Sequence, residues 1–141
     1  MKQVVGFTAG AFDMFHIGHL NLIKNARERC DYLIVGVNTD DLILSYKNKK
    51  AVVPLNERLE IVRALKYVDE VQIVDTLDKV EMWRRMKFDV VFIGDDWKGS
   101  ERWNATELAL SESCGESVKV VYLPYTRGTT STLLREKLLE L

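Results

Sequence analysis

The sequence predicts an α/β chain, a single doubly wound Rossmann-like domain with a five-stranded parallel sheet, on three observations. Short apolar runs rich in β-branched residues occur at Gln3 to Thr8, Tyr32 to Val37, Glu70 to Val74, Val90 to Ile93 and Val118 to Leu123, as in strands buried on both faces. Helical periodicity separates them, at Leu20, Ile23, Ala26 and Cys30, then at Leu55, Leu59, Val62 and Leu65, then over Leu77 to Met86, Thr106 to Ser113 and Thr132 to Leu141. Alternation of this kind requires right-handed crossovers with helices on both sheet faces. The 141 residues supply one core and not two.

In such a sheet ligands sit at the carboxyl ends of the strands, and residues with usable chemistry cluster there. After the first run comes Gly10-Ala11-Phe12-Asp13-Met14-Phe15-His16-Ile17-Gly18-His19. Gly10 is expected to turn the chain off the strand, since glycine enters positive φ freely, and Asp13 has the chemistry of a helix N-cap. His16 and His19 are three apart, so on a helix they share a face and can donate to one anion, while Gly18 leaves room for a ribose or phosphate. The pair also reads as metal ligands or as two capped surface histidines. A zinc site needs three or four protein ligands, and Cys30 and Cys114 lack paired spacing.

The second run ends in Asn38-Thr39-Asp40-Asp41, and a short helical turn leads to Tyr46-Lys47-Asn48-Lys49-Lys50. If this stretch is extended, Lys47 and Lys49 point the same way. It reads as a solvated basic loop or as paired ammonium groups for two phosphates. Pro54 suits a helix start; Arg58 then either pairs with Glu57 or Glu60 or points at phosphates. Gly94-Asp95-Asp96-Trp97-Lys98-Gly99 can seat a planar base and accept from an exocyclic amine, or it is an acidic turn capping the helix near Thr106. Pro124 to Thr132 crowds hydroxyls at a helix start, as caps or as a phosphate cradle.

Twenty basic and 21 acidic residues give a formal charge of −1, which offers no bulk attraction for nucleic acid or an acidic membrane. A small ligand is expected instead. Two distant cysteines and no signal-peptide pattern point to a reduced, cytoplasmic protein, and no run of about twenty apolar residues predicts membrane insertion.

His16-Ile17-Gly18-His19 behind Gly-x-Phe-Asp resembles the His-x-Gly-His motif of the nucleotidyltransferase superfamily shared with class I aminoacyl-tRNA synthetases. Asn56-Glu57-Arg58 and Lys66-Tyr67-Val68-Asp69-Glu70-Val71 resemble its cytidylyltransferase branch, and the Gly94 block is similar to the glycerol-3-phosphate type. Pro124 to Thr132 resembles that family's Arg-Thr-Glu-Gly-Ile-Ser-Thr motif, except that Tyr125 stands where the family has arginine and Arg127 where it has glutamate.

The resemblance spans the domain, residues 1–141, and implies transfer of CMP from CTP to sn-glycerol 3-phosphate, giving CDP-glycerol and pyrophosphate by in-line attack without a covalent intermediate. It implies that His16, His19 and Lys49 are catalytic and that Lys47, Arg58 and Lys79 hold the acceptor. The nucleotide then falls to Gly10, Ala11, Phe12, His16, Gly18, His19, Lys49, Gly94, Asp96, Thr126, Arg127, Gly128, Thr130, Ser131 and Thr132. Arg127 is expected to reach the phosphates and Tyr125 to shape the wall. Mg²⁺ would travel with the triphosphate, without protein ligands, and the chain would be a homodimer. Two further readings are cytidylyl or adenylyl transfer to another small phosphate or phosphonate, and a non-catalytic nucleotide-binding regulatory module. Retention of both histidines and both lysines argues against the module.

Overall fold

A computed structural model of the chain describes residues 2–141. Its elements are β1 (Val5–Gly10), α1 (Ile17–Arg27), β2 (Tyr32–Asn38), α2 (Asp40–Lys47), α3 (Leu55–Arg63), β3 (Glu70–Val74), α4 (Lys79–Met86), β4 (Val90–Gly94), α5 (Glu101–Cys114), β5 (Lys119–Leu123) and α6 (Ser131–Leu139). The sheet is parallel throughout, in the order β3-β2-β1-β4-β5. All five expected strands are present. Among the described residues no helix is long and apolar enough to cross a membrane.

Strands β2 and β4 are buried on both sides because each feeds two cores. Leu33, Val35 and Val37 of β2 pack with Ile23, Ala26 and Val62 from α1 and α3, together with Val90 and Phe92 of β4. The intervening Ile34 and Val91 belong to the other face, with Phe7, Val80, Met82, Trp103 and Leu110. There Phe7 stacks on Phe88 at a centroid distance of 4.9 Å, a geometry that adds to simple burial.

Two helices are longer than their apolar pattern indicates, and each begins at a cap. The expected short turn after β2 is the eight-residue α2, where the Thr39 hydroxyl accepts from the Leu42 amide at 3.1 Å. Lys47 is therefore the last residue of a helix, and Asn48 turns the chain at φ 55°. This replaces the extended alternation of Lys47 and Lys49. Helix α5 begins at Glu101 rather than near Thr106, because Ser100 Oγ accepts from the Trp103 amide at 3.3 Å.

The chain runs outward from β1 through β2 to β3, then returns to set β4 on the other side of β1. Loops on the two sides of that reversal diverge and leave a crevice at the carboxyl ends of β1 and β4. Arg58 is one of its struts. Only 1% exposed, it donates to the carbonyls of Val53 (2.8 Å), Ala11 (2.7 Å) and Asn38 (2.7 Å) and pairs with Asp40. Arg58 thus joins the loop after β1, the end of β2 and the starts of α2 and α3. This corrects the expectation that it holds an acceptor, because its donors are turned into the protein.

Replacing Arg58 with methionine keeps an apolar stem but orphans two buried carbonyls. At ~1–3 kcal/mol for each unsatisfied group, urea denaturation should register a loss of about 3 kcal/mol or more. A loss below about 1 kcal/mol would mean that water or neighbouring chains replace those bonds without cost.

Candidate active site

The turn out of β1 is made without glycine. Gly10 closes the strand, and the left-handed residues are Phe12 at φ 51° and Met14 at φ 50°, on either side of Asp13. Such conformations disfavour side chains and persist only when surrounding contacts enforce them. Asp13 supplies those contacts. Its carboxylate accepts from the amides of Val52 (2.8 Å) and Val53 (2.9 Å) and from Arg135 Nη2 (2.9 Å), while its carbonyl accepts from Ser131 Oγ (2.7 Å). Asp13 is therefore not the cap of α1, as its position suggested.

The cap is His16. Its Nδ1 accepts from the Gly18 amide at 3.1 Å, and His19 Nδ1 accepts from the His16 amide at 3.3 Å, a capping box written in imidazoles. The rings stack at 3.8 Å with an interplanar angle of 24°. Gly18 serves this arrangement, since a Cβ there would lie 2.9 Å from His16 Cε1. The close approach that requires glycine is that of the imidazole.

With both Nδ1 atoms accepting, the proton of each neutral ring resides on Nε2. Both rings are held neutral. Burial lowers the pKa of His16, and burial first, then the neighbouring His16 and Lys47, brings His19 down to about 3. The result is a pair of uncharged Nε2–H donors fixed side by side.

His19 sits where two cavities meet, and His16 lines the first of them. The first, about 390 Å³, is bounded by His16, Gly18, His19, Lys47, Gly94, Asp96, Trp97, Tyr125, Thr126 and Thr129 to Thr132. The second, about 210 Å³, is lined by Gly10 to Asp13, His19, Asn38, Tyr46, Lys47, Lys79, Trp97, Arg102, Trp103 and Ser131. His19, Lys47, Trp97 and Ser131 border both. Asp95 Oδ1 accepts from the Tyr125 amide at 3.1 Å, and Asn21 donates to Thr126 Oγ1 at 2.9 Å. These bonds fasten the Pro124 to Thr132 segment across the crevice.

Sequence reasoning and geometry part company at several residues. Lys49, Arg127 and Gly128 are exposed and line neither cavity, whereas Lys47 lines both. Tyr125 does form wall, with Cδ2 3.9 Å from the point where a Gly94 Cβ would stand. Lys79 is 7% exposed and lines the second cavity, where burial and then the Arg102 charge lower its pKa to about 8. Desolvation and the Arg135 charge lower that of Lys47 as well. Tyr46, Arg102 and Trp103 went unassigned by sequence. A Ser-Glu helix start at Ser100 was the available signal for the last two.

Together the fold and the site define a nucleotidyltransferase. The chain belongs to the cytidylyltransferase-like family, whose pattern matches residues 7–137. Glycerol-3-phosphate cytidylyltransferase of Bacillus subtilis (strain 168) is 34% identical over 145 residues, covering 98% of this chain and 98% of that one. FAD synthase of Pyrococcus abyssi (strain GE5 / Orsay) is 34% identical over 140 residues, covering 96% and 90%. Among solved structures, the lipopolysaccharide core biosynthesis protein from Thermoplasma volcanium GSS1 superposes with a TM-score of 0.74 at 25% identity, over 89% of this chain and 99% of that one.

The histidine geometry is open to direct observation. Long-range ¹H–¹⁵N spectra of the free protein should report both rings as Nε2–H tautomers, with His19 still neutral at pH 5, well above its pKa of about 3. An Nδ1–H tautomer, or titration of His19 at the ordinary imidazole value of 6.5, would contradict the capping box.

Proposed function

We propose that the protein transfers a cytidylyl group from CTP to a small phosphate monoester, with sn-glycerol 3-phosphate the favoured acceptor. The observation that carries this reading is the stacked pair of neutral Nε2–H donors, His16 on the larger cavity and His19 on the border of both, with Lys47 on that border too. A transfer between two phosphates needs two adjoining anion sites and stabilised charge between them.

The larger cavity takes the nucleotide. Its base end is bounded by Gly94, Asp96 and Trp97, and its phosphate end by the amino terminus of α6 with the hydroxyls of Thr130 and Ser131. The acceptor enters the smaller cavity. One of its phosphate oxygens attacks the α-phosphorus in line as the bond to pyrophosphate breaks, and Nε2–H groups donate to oxygens that gain charge. Lys47 screens the two anions from each other. A magnesium ion would travel with the triphosphate and would supply charge neutralisation for the departing pyrophosphate.

The FAD synthase relative gives adenylyl transfer to a flavin a footing as second reading. Size favours the first. The acceptor cavity, about 210 Å³, is below the ≈ 300–1,000 Å³ usual for drug-sized ligands.

Pyrophosphate release should be measured with CTP and ATP, each against sn-glycerol 3-phosphate and flavin mononucleotide. Turnover is expected with CTP and the glycerol ester, and kcat should fall by ~10² or more in His16→Ala and His19→Ala, the cost of one preorganised donor. Turnover confined to ATP and the flavin would replace this acceptor assignment.

A further inference from the structure

The acceptor cavity holds a cation that none of the roles above uses. Arg102, in the first turn of α5, is half-buried, and its guanidinium carbon lies 5.8 Å from the Tyr46 ring centroid and 5.2 Å from that of Trp97. Tyr46 is held in turn by Asn38, whose Nδ2 donates to its hydroxyl at 3.0 Å. The guanidinium is thus held by cation–π contacts with rings from α2 and from the turn after β4. Lys79, at the start of α4, reaches the same cavity, with Nζ 5.5 Å from the Trp103 ring and 3.4 Å from the Leu77 carbonyl.

Among the described residues neither Lys79 nor Arg102 has a carboxylate within 4 Å. The one carboxylate lining the cavity, Asp13, is already taken by Arg135 and two amides. Two cations in a partly dry pocket repel each other and lose hydration, an arrangement relieved when an anion enters between them. A guanidinium fork matches two oxygens of one phosphate, while an ammonium supplies a point charge.

Building on the cytidylyltransferase reading, we infer that Arg102 is a specificity-determining residue which, with Lys79, seats the acceptor's anionic group, and that this group is a phosphate or phosphonate dianion. Lys47, on the border of both cavities, is left for the triphosphate side. Cation–π contact with Tyr46 and Trp97 holds the fork beside Lys79, so an acceptor with a single negative charge, such as a carboxylate or a phosphodiester, leaves one cation unmatched and binds poorly.

The test uses the full chain and the variants Arg102→Gln and Arg102→Lys, with urea midpoints as the check on folding. Inorganic phosphate is titrated by tryptophan fluorescence, Trp97 and Trp103 both lining the cavity. KM is measured separately for sn-glycerol 3-phosphate and for CTP. We expect Arg102→Gln to weaken phosphate binding and raise the acceptor KM by about tenfold or more, with the KM for CTP within about twofold of wild type. Arg102→Lys should recover part of both losses, since it returns the charge without the fork. Unchanged phosphate binding in Arg102→Gln, or equal rises in the two KM values, would overturn the assignment. If the wild-type protein releases no pyrophosphate from CTP with any phosphate acceptor, the cytidylyltransferase reading fails, while the phosphate titration still decides whether Arg102 seats an anion.

Discussion

The Asp13 carboxylate is the interaction on which the site depends. It lies in the turn after β1, its side chain is 3% exposed, and it receives two amides from the segment before α3 and a guanidinium from α6. A buried carboxylate so matched is stable, and the same group stripped of donors would be costly. Its bonds hold Phe12 and Met14 in left-handed conformations, and those two residues aim the chain so that His16 arrives as the cap of α1. Three segments distant in sequence thus meet at one side chain, and the crevice between β1 and β4 takes its shape from their meeting.

Electrostatically the site separates two tasks. Burial keeps the histidines neutral, and the neighbouring His16 and Lys47 lower His19 further, so the pair offers hydrogen bonds without competing for protons. Positive charge comes from Lys47, Lys79 and Arg102, set around the smaller cavity. In the proposed transfer, dipolar donors would meet developing charge and full charges would meet the ground-state anions, two different contributions to one reaction. The capping box makes the first possible, because it uses up both Nδ1 atoms and leaves both Nε2–H groups for a ligand.

Much of this was legible in the sequence wherever the cause was local. All five strands could be read from apolar runs, and the signal is most continuous in β2 and β4, which are buried on both faces. The His16–His19 pair could be read from helical spacing. Where a tertiary contact decided the outcome, the reading went astray. Glycine propensity pointed to Gly10 for the turn, yet Asp13 forces Phe12 and Met14 into it. Arg58 looked available to phosphates because Ala11 and Asn38, whose carbonyls absorb it, are remote in sequence. Lys47 and Lys49 were paired on an extended stretch, whereas α2 runs to Lys47 and Asn48 turns the chain, so that only Lys47 lines the cavities; Arg102 was passed over because α5 was started too late. Both helices announce themselves by hydroxyl caps, Thr39 and Ser100, which an apolar pattern does not record.

The central claim is direct passage of the nucleotidyl group from one cavity to the other across the histidine pair. The stereochemical course at the α-phosphorus tests it most directly. With CTP carrying sulfur at a single configuration on the α-phosphate, one in-line displacement predicts inversion in the product. Retention would require two displacements through a covalent enzyme intermediate, and would contradict the account.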